Sequence, residues 1–63
     1  MRSRYTPATV LTILAVLEAG EGVASAARSA GVSRRVIYRW CAVRPRFRQR
    51  VREAQAKGMT AAP

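Results

Sequence analysis

Val23-Ala24-Ser25-Ala26-Ala27-Arg28-Ser29-Ala30-Gly31-Val32-Ser33-Arg34-Arg35-Val36-Ile37-Tyr38-Arg39-Trp40-Cys41-Ala42-Val43 is the stretch on which the fold turns. Its opening residues are small, so a helix built from them lets a neighbour approach closely, most tightly at Ala27. Gly31 supplies the positive φ that a tight turn at Ala30-Gly31-Val32 requires. Ser33 then stands where an N-cap stands, and Val32 and Ile37 have the spacing of a hydrophobic staple. At about 100° per residue, Val36, Ile37 and Trp40 project to one side of the helix that follows. Arg34, Arg35, Tyr38, Arg39 and Ala42 project to the other. A small residue at the crossing, a turn glycine and apolar anchors in register make a helix-turn-helix, whose second helix is the one shaped for a DNA major groove.

The flanks extend this pattern. Thr6 occupies an N-cap position with Pro7 behind it, and Tyr5 and Val10 repeat the staple spacing. Val10, Ile13, Leu14 and Leu17 follow i, i+3, i+4, i+7, the stripe of an amphipathic helix. Gly20 ends that helix and Gly22 caps the next. Pro45 stops the third helix near Val43 or Arg44. A fourth helix is expected over 46–57, with Phe47, Val51 and Ala54 as its apolar stripe and Gly58 as its end. The expected fold is all-α: a compact three-helix, homeodomain-like helix-turn-helix core over 6–44 plus the basic fourth helix. A flexible basic arm (1–5) and a disordered tail (58–63) are expected to flank it.

Composition sets the partner class. Twelve basic residues face three acidic ones, for a net charge of +9 on 63 residues, and eleven of the twelve are arginine. Arginine's planar fork suits phosphates and guanine edges better than lysine's point charge. A domain this small and this basic is expected to have a polyanionic partner. The single cysteine and the absence of histidine exclude an internal disulfide, a cysteine-built zinc site and imidazole catalysis. Glu18, Glu21 and Glu53 form no acid/base pair, so no catalytic residue, metal site or cofactor is expected and the chain reads as a non-enzyme. No signal-type run follows Met1, and the first helix is too short and amphipathic to span a bilayer, so no membrane partner is expected and the cytoplasm is the expected compartment.

The candidate DNA-binding residues are Ser33, Arg34, Arg35, Tyr38 and Arg39, with Arg2 and Arg4 on the arm and Arg46 and Arg48 on the fourth helix. Arg34 and Arg35 lie in the first turn of the recognition helix, where either a bidentate guanine contact or a phosphate contact is open to each; one of the two is expected to read a base. Tyr38 is placed to touch a thymine methyl or a phosphate, and Arg39 the backbone. Ser33 caps the helix, with a phosphate contact as a second role. Arg2 and Arg4 either enter the minor groove or stay solvated. The arm, the start of the second helix and the fourth helix are expected to hold the DNA backbone. Trp40 is expected in the core, and Cys41 as a half-buried bystander.

The run Ala-Ala-Arg-Ser-Ala-Gly-Val-Ser-Arg-Arg-Val-Ile-Tyr-Arg-Trp, followed by Arg-Pro-Arg-Phe-Arg-Gln-Arg-Val-Arg-Glu-Ala, resembles the N-terminal DNA-binding domain of bacteriophage small terminase subunits over about Tyr5 to Lys57. It is also similar to the helix-turn-helix of insertion-sequence transposases and, in part, of resolvases. The short link through Pro45 to Phe47 is closer to the terminase pattern. The resemblance implies recognition of viral double-stranded DNA for packaging, with a large terminase subunit as a further partner. It also implies ring assembly through helices beyond this stretch, so any oligomer is expected to form through segments absent from this sequence. The chain departs from the family where acidic residues are common beside the Pro and Phe: here they are Arg44, Arg46 and Arg48. Alternatives are a small phage or mobile-element transcription regulator, a transposase DNA-binding module, or a basic protein-interaction adaptor using the Phe47/Val51 stripe.

Overall fold

Thr6 opens the first helix: its Oγ1 accepts from the Thr9 N–H at 3.2 Å, and Pro7 follows at a position that needs no N–H. The computed structural model describes residues 5–60. Within them the order is α1 (Pro7–Glu18), α2 (Val23–Ala30), α3 (Arg34–Val43) and α4 (Pro45–Thr60), with no strand. The all-α expectation is met.

Two glycines make the corners. Gly20 sits at φ +90°, donating to the Leu17 carbonyl at 3.0 Å while the Glu21 N–H reaches Val16 at 3.3 Å. Gly31 repeats the device at φ +72°, donating to Arg28 at 3.2 Å while Val32 donates to Ala27 at 3.0 Å. In both cases a left-handed residue turns the chain and satisfies carbonyls left open at a helix end. Ser33 Oγ accepts from the Val36 N–H at 3.2 Å and starts α3 as its cap.

The core forms where these helices meet. Val10, Ile13, Leu14 and Leu17 of α1 are buried, with Ala26 and Ala27 of α2 and Ile37 and Trp40 of α3. Phe47, Val51 and Ala54 of α4 complete it. Helix α1 packs against α2 and α4, whereas α3 is held by α4 and α2. Val36, expected beside Ile37 and Trp40, is half-buried.

Helix α4 departs from the expected 46–57. It begins at Pro45 and runs to Thr60, so Gly58 lies inside the helix and does not end it. Gly58 is buried against the C-terminal end of α1. A Cβ there would run into the Leu17 carbonyl oxygen and come within 2.9 Å of the Gly20 Cα and N. Glycine is required because two backbones touch, a use that looks the same in the sequence as a helix stop. Residues 1–4 of the expected arm, with Arg2 and Arg4, and residues 61–63 of the expected tail lie outside the described residues, whereas Tyr5, expected as the end of the flexible arm, is half-buried and packed on Trp40 and Phe47.

Candidate nucleic-acid interface

The outward side of α3 follows from what its inner side buries. Ile37 is fully buried and Trp40 nearly so. One helix turn fixed by those two side chains leaves Ser33, Arg34, Arg35, Tyr38 and Arg39 exposed. Arg35, Tyr38 and Arg39 line one shallow surface depression, with the Tyr38 ring 59 % exposed. No carboxylate among the described residues pairs with these arginines. Of the sequence-derived α3 set, Arg35, Tyr38 and Arg39 are brought together on one open face, and Ser33 and Arg34 are exposed at the start of the helix.

On α4, burial of Phe47, Val51 and Ala54 turns Arg46, Arg48, Arg50 and Arg52 to solvent. Arg48 stands close enough to Cys41 for its charge to act on the thiol; burial raises the thiol's pKa above its ordinary value of 9.0, and Arg48 partly offsets that. Cys41 is half-buried and stays protonated at neutral pH. Part of the α4 charge is therefore felt at Cys41, in the last turns of α3.

Of the three acidic residues, Glu53 is exposed on α4 beside the arginine run, and the other two stand elsewhere. Glu18 and Glu21 sit at the α1–α2 corner, where Lys57 Nζ approaches Glu18 Oε2 at 3.8 Å. Ser25 Oγ donates to Glu21 Oε1 across the first turn of α2. A carboxylate in that place works against the phosphate contact expected at the start of α2.

One cluster was not legible as a unit. Tyr5, Trp40 and Phe47, from the lead-in to α1, from α3 and from α4, meet edge to face. Their centroids are 5.2 Å (Tyr5–Trp40), 5.6 Å (Tyr5–Phe47) and 6.0 Å (Trp40–Phe47) apart, at 85°, 77° and 86°. Such geometry places ring edges on ring faces, the favoured aromatic arrangement. The Arg44 guanidinium carbon lies 3.8 Å from the centroid of Tyr5. Tyr5 lines a groove with Val10, as the staple spacing suggested, but its ring contacts are with Trp40 and Phe47. The available signal was compositional: three of only four aromatic residues converge here.

Among the described residues, no group of His, Cys, Asp and Glu is placed to hold a metal ion, and no helix is long and apolar enough to cross a membrane. No curated protein and no solved structure gives a significant match. A family model does: the one described as Bacteriophage Sf6, terminase small subunit-like, matches residues 5–62. With nearly the whole chain matched, and four helices arranged about a glycine turn, the chain belongs to the family of phage terminase small subunit-like proteins.

Proposed function

We propose that this domain binds double-stranded DNA through its helix-turn-helix, with α3 in the major groove, and serves viral DNA recognition for packaging. The observation that carries the reading is the two-sidedness of α3: Ile37 and Trp40 are buried while Arg34, Arg35, Tyr38 and Arg39 stand exposed together. Family membership supports the packaging role and, with it, a large terminase subunit as the protein that receives the DNA. In this reading Arg34 or Arg35 reads a guanine edge, Tyr38 meets a base or phosphate, and Ser33, Arg39, Arg46 and Arg48 hold the backbone. Arg2 and Arg4 add contacts from the arm. The domain acts by binding and performs no chemistry of its own.

The adaptor alternative needs the Phe47/Val51 stripe free for a partner, and both side chains are buried in the core. Titrating random-sequence duplex at two salt concentrations separates the classes. DNA binding gives a log–log salt slope of about −0.9 per neutralised phosphate. A chain that ignores duplex at low salt refutes the proposal. With the packaging-site duplex in hand, Arg34→Ala or Arg35→Ala weakens specific binding by roughly 1–3 kcal/mol at the base-reading position, with a smaller loss on random duplex. Equal losses on both duplexes rule out base readout at these residues.

A further inference from the structure

We propose that Arg44, stacked on Tyr5, is a pre-oriented phosphate-gripping residue for the DNA backbone, an inference that rests on the DNA-binding reading above. Two features hold Arg44, and the second is one that no other described arginine shows. The first is its backbone, pinned on both sides. Its N–H donates to the Trp40 carbonyl at 2.8 Å, and its own carbonyl accepts from the Arg48 N–H at 3.0 Å. It is held extended at φ −128°, ψ 92° by the proline that follows. The second is its side chain, laid on an aromatic face at 3.8 Å. The platform is itself fixed, because the Tyr5 ring is wedged edge to face between the buried rings of Trp40 and Phe47.

Stacking occupies only the flat face of a guanidinium. The five N–H donors lie in the guanidinium's own plane. Among the described residues no carbonyl or carboxylate takes them, and Arg44 is exposed overall. A free arginine must give up rotamer freedom when it grips a phosphate; one already held over a tyrosine ring gives up less. The position suits the task, since Arg44 is the single residue that links α3 to α4, and in the chain it falls between Arg39 and Arg46. The ligand chemistry is a phosphodiester oxygen pair received by a planar bidentate fork.

The test uses the full chain, a random-sequence duplex and a salt series. Arg44→Ala is expected to weaken binding roughly tenfold at low salt and to make the salt slope shallower by about 0.9. Arg44→Lys keeps the charge, so the slope is expected to hold while affinity falls several-fold with loss of the flat fork. Tyr5→Leu removes the platform and keeps Arg44, and is expected to lower affinity without changing the slope. Thermal unfolding of each variant checks that the domain is folded at the assay temperature; if Tyr5→Leu is not, Arg44→Lys alone decides. Wild-type binding with full affinity and slope retained in Arg44→Ala overturns this site and leaves the DNA-binding reading intact. Arg44→Lys equal to wild type overturns the role of the stacked fork. A wild-type chain that binds no duplex overturns the reading beneath both.

Discussion

Gly58 shows how one residue type carries opposite instructions. In an exposed helix interior, replacing glycine with alanine stabilises by roughly 0.5–1 kcal/mol through backbone entropy. At Gly58 the added Cβ meets the Leu17 carbonyl and the Gly20 backbone. Neither is the soft end of a side chain, so helices must part. Gly58→Ala is expected to destabilise by about 1–3 kcal/mol, the usual cost of overpacking, and so to lower Tm by at least about 4 °C in thermal unfolding followed by circular dichroism. A rise in Tm would mean that α1 and α4 can part at little cost and that Gly58 is not held by backbone contact. The same residue marks where sequence reading stops. Gly20 and Gly31 were legible as turns because each follows a helical pattern at its natural end. Gly58 stands at the end of a pattern too, yet what holds it is a backbone from the opposite end of the chain, and no local signal encodes that. Arg44 and Tyr5 are alike in this respect: 39 positions apart in number, they meet only through the packing of Trp40 and Phe47.

Among the elements, α3 depends most on local chemistry. It has ten residues, and isolated helices of that length are unstable in water. It is held by its cap, by Ile37 and Trp40, and by the turn at Gly31. These features are all local in the sequence, which explains why the orientation of the exposed α3 face was legible there. The cap is the part that can be removed without touching the core. Ser33→Ala is expected to cost about 1 kcal/mol and to lower Tm by roughly 4–8 °C. Ser33→Asp, which can accept the same hydrogen bond, is expected to restore Tm while weakening duplex binding, since it puts a carboxylate beside the phosphates. Restored Tm together with unweakened binding would remove Ser33 from the interface and leave it as a cap only. Helix α4 was read less well. Its stripe of Phe47, Val51 and Ala54 was evident, but its bounds were drawn short at both ends. Pro45 acts as a start as well as a stop, and Gly58 continues the helix.

The whole molecule is an excess of positive charge on a small core. The net charge of +9 sits on a chain that buries only about 60 % of its unfolded surface, as expected at this size. Self-repulsion among exposed arginines therefore works against a modest folding free energy. A polyanion that binds only the folded state relieves the repulsion and adds linkage. At one hundred times the dissociation constant it contributes about 2.7 kcal/mol. Duplex DNA at that excess is expected to raise Tm by roughly 10–20 °C at low salt, with the gain lost as salt is raised. A salt-independent gain would point to association that is not electrostatic.

Because Phe47, Val51 and Ala54 line the same interior as Ile13 and Leu17, the fourth helix is a wall of the domain and not an appendage to a three-helix unit. Cutting after Val43 would strip one flank of α1 and leave the recognition helix propped from a single side. Any recombination event, natural or engineered, that grafts this domain onto another protein would have to carry all four helices as one cassette.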